Sequence, residues 1–286
     1  MTTSTATEIA RRSTRRPRSR NPFGDLADVC TGLLDEVRGG VGELTQSERE
    51  YYRTRPVEFS LEVLGVRLWS KQEEILLAIR DHHRVAVCSG HKCGKSTVCA
   101  VAALWFYSCF DDARVVLTAV TSRQVQGIIW REIRRIVQRA KKLPPEGTGR
   151  IIDGELHDLS HNGLKAEDFR EIAGFTAKQS EAVSGISGAN ILYLCDEASG
   201  IEDPIFEAID GNSAANARVV MISNPTKTSG RFFEAFHERS EHWHQVHVSS
   251  LESPNVIAGR TVIGGLASPE WVERMRDEYG GANSPW

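Results

Sequence analysis

The chain has 286 residues, 40% of them hydrophobic, and a net charge of −3, enough to build a sizeable core in one or two domains. The charge is uneven: residues 1–20 carry six arginines against one acid, Glu8, which leaves −8 for the remainder. The longest apolar stretch, "VCAVAALWFYSCF" (98–110), is too short to span a bilayer. No apolar run follows the N-terminal arginines, so no signal peptide is visible. The six cysteines form no CxxC pair, which fits reduced thiols in a cytoplasmic protein and argues against a membrane or a disulfide framework.

In chain order, residues 1–20 are rich in Ser, Thr and Arg with little to bury, and read as a disordered arm. A solvated tail is the ordinary meaning of such an arm, nucleic-acid contact the sharper one, and its Arg-rich, acid-poor look also suggests a transit peptide. Residues 21–50 read as a weakly helical linker, which places the arm and linker at 1–50 and the folded domain at 51–265. Ser70 is expected to cap a helix whose apolar face holds Ile75, Leu76 and Ile79. "RVAVC" (84–88) is a buried strand, followed by a helix from about Ser96 to Phe110 and a strand over 114–120. A second long helix is expected from Ser122 to Lys142, then a hairpin turning at Asp153-Gly154. Strands at 189–195 and 217–223 flank a helix capped and opened by Asp203-Pro204, "GRFFEAFHERS" reads as helical, and 266–286 as a C-terminal helix with the start of a linker. Strands alternating with helices predict an α/β fold, a mainly parallel doubly wound sheet flanked by helices.

Two motifs carry the chemistry. In "CSGHKCGKSTV" (88–98), a predicted strand leads through a turn into a predicted helix, the context of a phosphate-binding GxxxxGK[ST] loop. Ser89 stands where the first glycine is usual and Gly90 follows one step later. The candidate nucleotide contacts are Ser89, Gly90, His91, Lys92, Cys93, Gly94, Lys95, Ser96 and Thr97. Lys95 is the residue to reach the β- and γ-phosphates, and Ser96 the one to ligate Mg²⁺. In "ILYLCDEAS", the pair Asp196-Glu197 ends an apolar strand, where adjacent carboxylates point in different directions. Asp196 is expected to hold Mg²⁺ and Glu197 to orient or deprotonate the attacking water. Together they predict a P-loop NTPase that binds and hydrolyses ATP.

These stretches, with "ILYLCDEASGIEDPIFEAIDG" and "MISNPTKTSGRFFEAF", resemble the ATPase portion of the large terminase subunit of tailed phages, over residues 51–280 or so. The resemblance implies an ASCE-type sheet and makes Gln72, in "LWSKQEEIL", the expected reader of the adenine base. The basic Lys92 inside a shifted loop is also similar to the family. "SNPT" sits where the family carries its coupling motif, which singles out Asn224 and Thr226. The resemblance further implies a homo-oligomeric ring that threads double-stranded DNA into a procapsid in the host bacterial cytoplasm, with a portal protein and a small terminase subunit as partners. It implies an arginine supplied by a neighbouring subunit, with Arg123, Arg150, Arg170 and Arg218 as candidates. The family's nuclease half does not follow "SPEWVERMRDEYGGANSPW", so DNA cleavage by this polypeptide alone is not expected. The alternatives are a truncated prophage-derived protein that binds nucleotide without productive packaging, and a helicase-like DNA translocase.

Three further features stand beside these. Arg131, Arg135, Arg139 and Lys142 form a basic stripe at i, i+4 spacing, opposite an apolar side of Val125, Ile128, Ile129, Ile133, Ile136 and Val137. A solvated face is the ordinary reading of the stripe, and a DNA-facing or intersubunit surface the sharper one. His237, His242, His244 and His247 lack a recognisable zinc pattern, although His242 and His244 would share a strand face. Cys93, between Lys92 and Lys95 near a helix start, has surroundings that favour a thiolate, alkylation of which would block nucleotide binding and be prevented by ATP.

Overall fold

The computed structural model describes residues 44–121, 125–142, 157–159, 163–166, 168–176, 185–213 and 216–279. The basic arm, Arg123, Arg150 and the Asp153-Gly154 turn lie outside the described residues. Among the described residues eight strands form one sheet: β1 (Arg84–Ser89), β2 (Ala113–Ala119), β3 (His157–Leu159), β4 (Gly163–Ala166), β5 (Glu171–Thr176), β6 (Asn190–Asp196), β7 (Ala217–Ser223) and β8 (His244–Val248). Their spatial order is β3-β4-β5-β2-β6-β7-β1-β8. From β5 to β8 all pairings are parallel, and β3 and β4 add an antiparallel edge. Because β7 separates β1 from β6, the strand leading to the phosphate loop and the strand carrying the paired carboxylates are not neighbours. This is the ASCE-type arrangement.

Alternate strand residues feed opposite layers, as the two-residue period of a strand requires. On one face Val85, Val87, Val115, Leu117, Leu192 and Leu194 pack with a helix, α3 (Lys95–Cys109). On the other Ala86, Val116, Tyr193, Cys195 and Met221 pack with Ile205, Phe206 and Ile209 of the helix Asp203–Asn212. α3 is apolar around its whole circumference and buried from Val98 to Tyr107, the pattern of a helix enclosed on every side. It is covered by α1 (Gln46–Arg53), α2 (Ser70–Asp81) and α4 (Trp130–Ala140).

Several local expectations change. α1 begins inside the segment read as linker. Thr45 and Glu48 form a capping box there, Leu44 is buried, and Trp105 Nε1 donates to the Tyr52 carbonyl at 2.9 Å. The N-cap of α2 is Trp69 instead of Ser70, because the Gln72 side chain reaches back to accept from the Trp69 N–H. The long helix after β2 is interrupted: a π-helical turn, Val125–Ile129, precedes α4, where Gly127 and three β-branched residues weaken α-helix formation. Glu202, not Asp203, caps the helix that Pro204 opens, and it makes no side-chain cap bond. "GRFFEAFHERS" gives only a four-residue helix, Arg231–Glu234, running into turns. A C-terminal helix, Pro269–Tyr279, is present. Among the described residues no helix is long and apolar enough to cross a membrane.

Candidate active site

Parallel pairing brings the C-terminal ends of β6, β7, β1 and β8 to one edge of the sheet, the place where open α/β sheets bind ligands. The registers Asp196↔Ile222, Cys88↔Ser223 and Ser89↔Val248 set the two motifs and the "SNPT" segment side by side. Between β1 and α3 the loop turns through two left-handed residues, Lys92 (φ 55°) and Gly94 (φ 78°). Gly94 caps α3, so the unpaired N–H groups of the first turn face the loop's mouth and favour an anion.

Every side of the loop is braced. The Gly90 N–H donates to the Val248 carbonyl at 2.8 Å, and Ser250 Oγ donates to the His91 carbonyl at 2.7 Å. A Cβ on Gly90 would lie 2.4 Å from Ser250 Oγ, which explains the glycine one place after the usual position. The Ala267 N–H donates to the Lys92 carbonyl at 2.9 Å, and the Lys92 ammonium lies 5.6 Å from the Trp271 ring centre. From the other side Gln72 Nε2 donates to the Gly94 carbonyl at 2.9 Å. Gln72, expected to read a base, is buried, with both ends of its amide engaged by Gly94 and Trp69. Its place in this structure is that of a loop support.

The catalytic candidates converge. Lys95 Nζ donates to the Gly90 carbonyl at 3.2 Å and to Asn224 Oδ1, so the loop lysine and the coupling candidate are in direct contact. Thr226 Oγ1 lies 2.7 Å from Ser199 Oγ, to which Ser223 Oγ donates at 2.9 Å. This chain of hydroxyls ties the end of β7 to the turn after β6. Asp196 is buried, and burial first, with the neighbouring Glu197 carboxylate second, pushes its acid up to about 6. Glu197 has a left-handed backbone (φ 50°), and its N–H donates to Asp196 Oδ1 at 3.0 Å. A non-glycine residue in that conformation stores strain.

Among the described residues no three His, Cys, Asp or Glu side chains gather as a metal site. A buried carboxylate that pays to ionise, with a hydroxyl at the start of α3, fits Mg²⁺, which takes one or two protein oxygens and completes its octahedron with phosphates and water. A cleft of about 590 Å³ opens beside the loop, lined by Cys88, Gly90, His91, Asn224, Thr226 and Trp271 among others.

Other expectations are corrected. Cys93 is buried, and burial raises its thiol pKa despite Lys95, so it is no thiolate. Arg170 and Arg218 both lie at the N-terminal edge of the sheet, away from the loop. Arg170 is buried and pairs with Asp168 at 2.7 Å, and Arg218 donates to the Ile79 carbonyl at 3.0 Å. Both guanidinium groups are engaged within this chain. His242 sits in a turn before β8, off its strand face, and His244 stacks on His82 with ring centres 3.9 Å apart. Along α4 and its flanking turns the stripe of Arg131, Arg135, Arg139 and Lys142 is exposed while Ile129, Ile133, Ile136 and Val137 are buried. Ile128 breaks the pattern at 38% exposure. Ser199 and Ser250 went unread, because isolated serines carry no pattern. Glu132, 2.9 Å from Thr97 Oγ1, left only an i, i+3 pairing with Arg135 as its trace.

A curated protein of Enterobacteria phage P7 described as "Probable terminase, large subunit" is 28% identical to the chain over 225 residues, 76% of the chain and 43% of that protein. The resemblance to the phage large terminase subunit holds. The chain thus spans less than half the length of the curated relative it matches. No family model matches. Two solved structures share the fold. One is the large terminase ATPase domain of Thermus phage P74-26, at TM-score 0.50 and 17% identity over 76% of the chain and 90% of that domain. The other is the ADP complex of a large terminase from a thermophilic bacteriophage, at TM-score 0.52 and 14% identity over 74% of the chain and 50% of that protein.

Proposed function

We propose that the chain is the ATP-hydrolysing motor part of a phage large terminase subunit, acting on double-stranded DNA in the host cytoplasm as a homo-oligomeric ring with portal and small-subunit partners. The observation that carries this reading is the convergence of Lys95, Asn224, Asp196 and Glu197 at one sheet edge. The phosphates of ATP accept from the loop's N–H groups and the first turn of α3. Lys95 exchanges the Gly90 carbonyl and Asn224 for phosphate oxygens, so Asn224 is the first side chain to register an occupied site. Ser96 and Asp196 would hold Mg²⁺, which supplies charge neutralisation on the phosphates when bound. Glu197 orients the attacking water and takes its proton as the new bond to the γ-phosphorus forms and the bond to the ADP oxygen breaks. Ser199, Ser223 and Thr226 link this edge to the segment beyond β7. The chain's likeness to the P7 protein and to an ADP-bound terminase supports the assignment.

The test is steady-state ATP hydrolysis by the purified chain with and without duplex DNA, beside Glu197→Gln. Turnover that rises with DNA and falls by about 10²-fold or more in the variant is expected. ATP binding with no turnover under any condition would overturn the motor reading and favour the nucleotide-binding alternative. Strand separation of a tailed duplex would favour the helicase-like one.

A further inference from the structure

One contact joins the nucleotide edge to the basic face of α4. Glu132 is nearly buried, with 15% of its side chain exposed, and its carboxylate accepts from two elements. Thr97 Oγ1, in the first turn of α3 beside Ser96, donates to Glu132 Oε1 at 2.9 Å. From the solvent side, Arg135 donates from Nη2 to Oε1 at 2.7 Å and from Nε to Oε2 at 3.0 Å. The Arg135 side chain is 66% exposed and stands in line with Arg131 and Arg139 on the helix surface. The Arg135 fork therefore balances a carboxylate that would otherwise place a negative charge beside the helix end meant for phosphates.

We propose that Glu132 is a positioning residue that couples the basic face of α4 to the nucleotide site. Duplex DNA, by drawing Arg135 onto its backbone, leaves the Glu132 charge uncompensated next to Thr97 and weakens the hold on nucleotide, product ADP included. This rests on the ATPase reading above and adds a route by which DNA acts on it. The DNA backbone is a dense array of phosphates that takes guanidinium forks readily, and an exposed ion pair is the kind that such competition breaks. The coupling is reciprocal: what DNA does to ADP affinity, ADP does to DNA affinity by the same factor. The two partners have opposite signatures. Losing Arg135 mimics the DNA-bound state, whereas neutralising Glu132 removes the repulsion and leaves an amide oxygen for Thr97.

The experiment measures the Kd of a fluorescent ADP for the full chain with and without saturating duplex DNA, with DNA binding followed by anisotropy. In the unsubstituted chain, DNA should weaken ADP binding about fivefold or more. Arg135→Gln should bind ADP as weakly without DNA as the unsubstituted chain does with it, and DNA should add nothing. Glu132→Gln should bind ADP tightly in both conditions, while Arg139→Gln should keep the full response. An unchanged DNA response in Arg135→Gln overturns the proposal, as does an unsubstituted chain that binds both ligands with no mutual effect. ADP binding with no binding of DNA refutes the α4 surface and leaves the ATPase reading standing. Failure to bind ADP at all refutes that reading and the proposal together.

Discussion

Replacing Gly94 by alanine tests whether Gln72 is a support of the phosphate loop. Alanine must adopt φ 78°, in the left-handed region, at a cost of about 1–2 kcal/mol. Its Cβ would stand 2.5 Å from Gln72 Nε2 and 3.1 Å from Leu266 Cδ2. Leu266 needs to give only a few tenths of an ångström, but Gln72 must swing away. It then loses its bonds to the Gly94 carbonyl and the Trp69 N–H, about 1 kcal/mol each. Gly94→Ala should therefore destabilise the chain by about 3–4 kcal/mol. Gln72→Ala loses the same two bonds and leaves their partners unpaired, about 2–3 kcal/mol. Since both substitutions break the same contacts, the double variant should fall about 2 kcal/mol short of the sum of the singles. Urea denaturation of the nucleotide-free chain, followed by circular dichroism, measures all three. Losses that add to within about 0.5 kcal/mol would refute the shared-contact argument, and Gln72 would then be free to serve only a ligand.

Three further outcomes follow from the site. The Asp196 acid is raised to about 6, so the native state holds its proton more tightly than the unfolded chain; its contribution is favourable at low pH and is lost as pH rises through about 6. In metal-free buffer, stability relative to Asp196→Asn should fall by about 1.4 kcal/mol between pH 5 and pH 7.5, and a pH-independent difference in urea midpoints would contradict it. Asn224→Ala removes one of the two acceptors of Lys95; ADP affinity should hold while ATP turnover drops at least about tenfold, the equivalent of ~1.4 kcal/mol in the barrier, and equal losses in both would make Asn224 a binding residue only. Iodoacetamide at neutral pH should label half-exposed Cys88 before buried Cys93, as peptide mass mapping would show; the reverse order would restore the thiolate reading.

What the sequence made legible was what local chemistry dictates. Buried parallel strands write continuous apolar runs, and β1, β6 and β7 were placed to within a residue or so because "RVAVC", "ILYLC" and "ARVVMIS" admit little else. The phosphate loop and the carboxylate pair are contiguous, and their strand context is adjacent in the chain. The errors fell where a residue's state depends on a distant partner. Flanking lysines suggested a reactive Cys93, but Val248 and Ser250, more than 150 positions away, bury it. The intrachain partners of Arg170 and Arg218, the Asp168 carboxylate and the Ile79 carbonyl, were likewise invisible in the sequence. The capping box of α1 was readable in "TQSE", and the Gly39-Gly40 pair with Gly42 just before it points to a linker instead.

The braces on the loop explain why its glycine is displaced without disturbing the site's logic. A first glycine in a phosphate loop is needed where backbone must approach closely. Here the close approach comes from Ser250 onto residue 90, while Ser89 is buried in the strand end and needs no such freedom. The position of the glycine thus follows the neighbour that packs on the loop, and that neighbour is the turn after β8, a strand that among the described residues pairs with β1 alone. The loop leans on the end of β8 and the turn after it through Gly90, His91 and Cys93. Lys95 spans the gap to Asn224 on the other side, so the lysine is suspended between an edge element and a central strand. A site built this way changes its geometry when either flank moves. Under the motor reading proposed above, such a geometry gives hydrolysis at the loop a route to the elements on both sides.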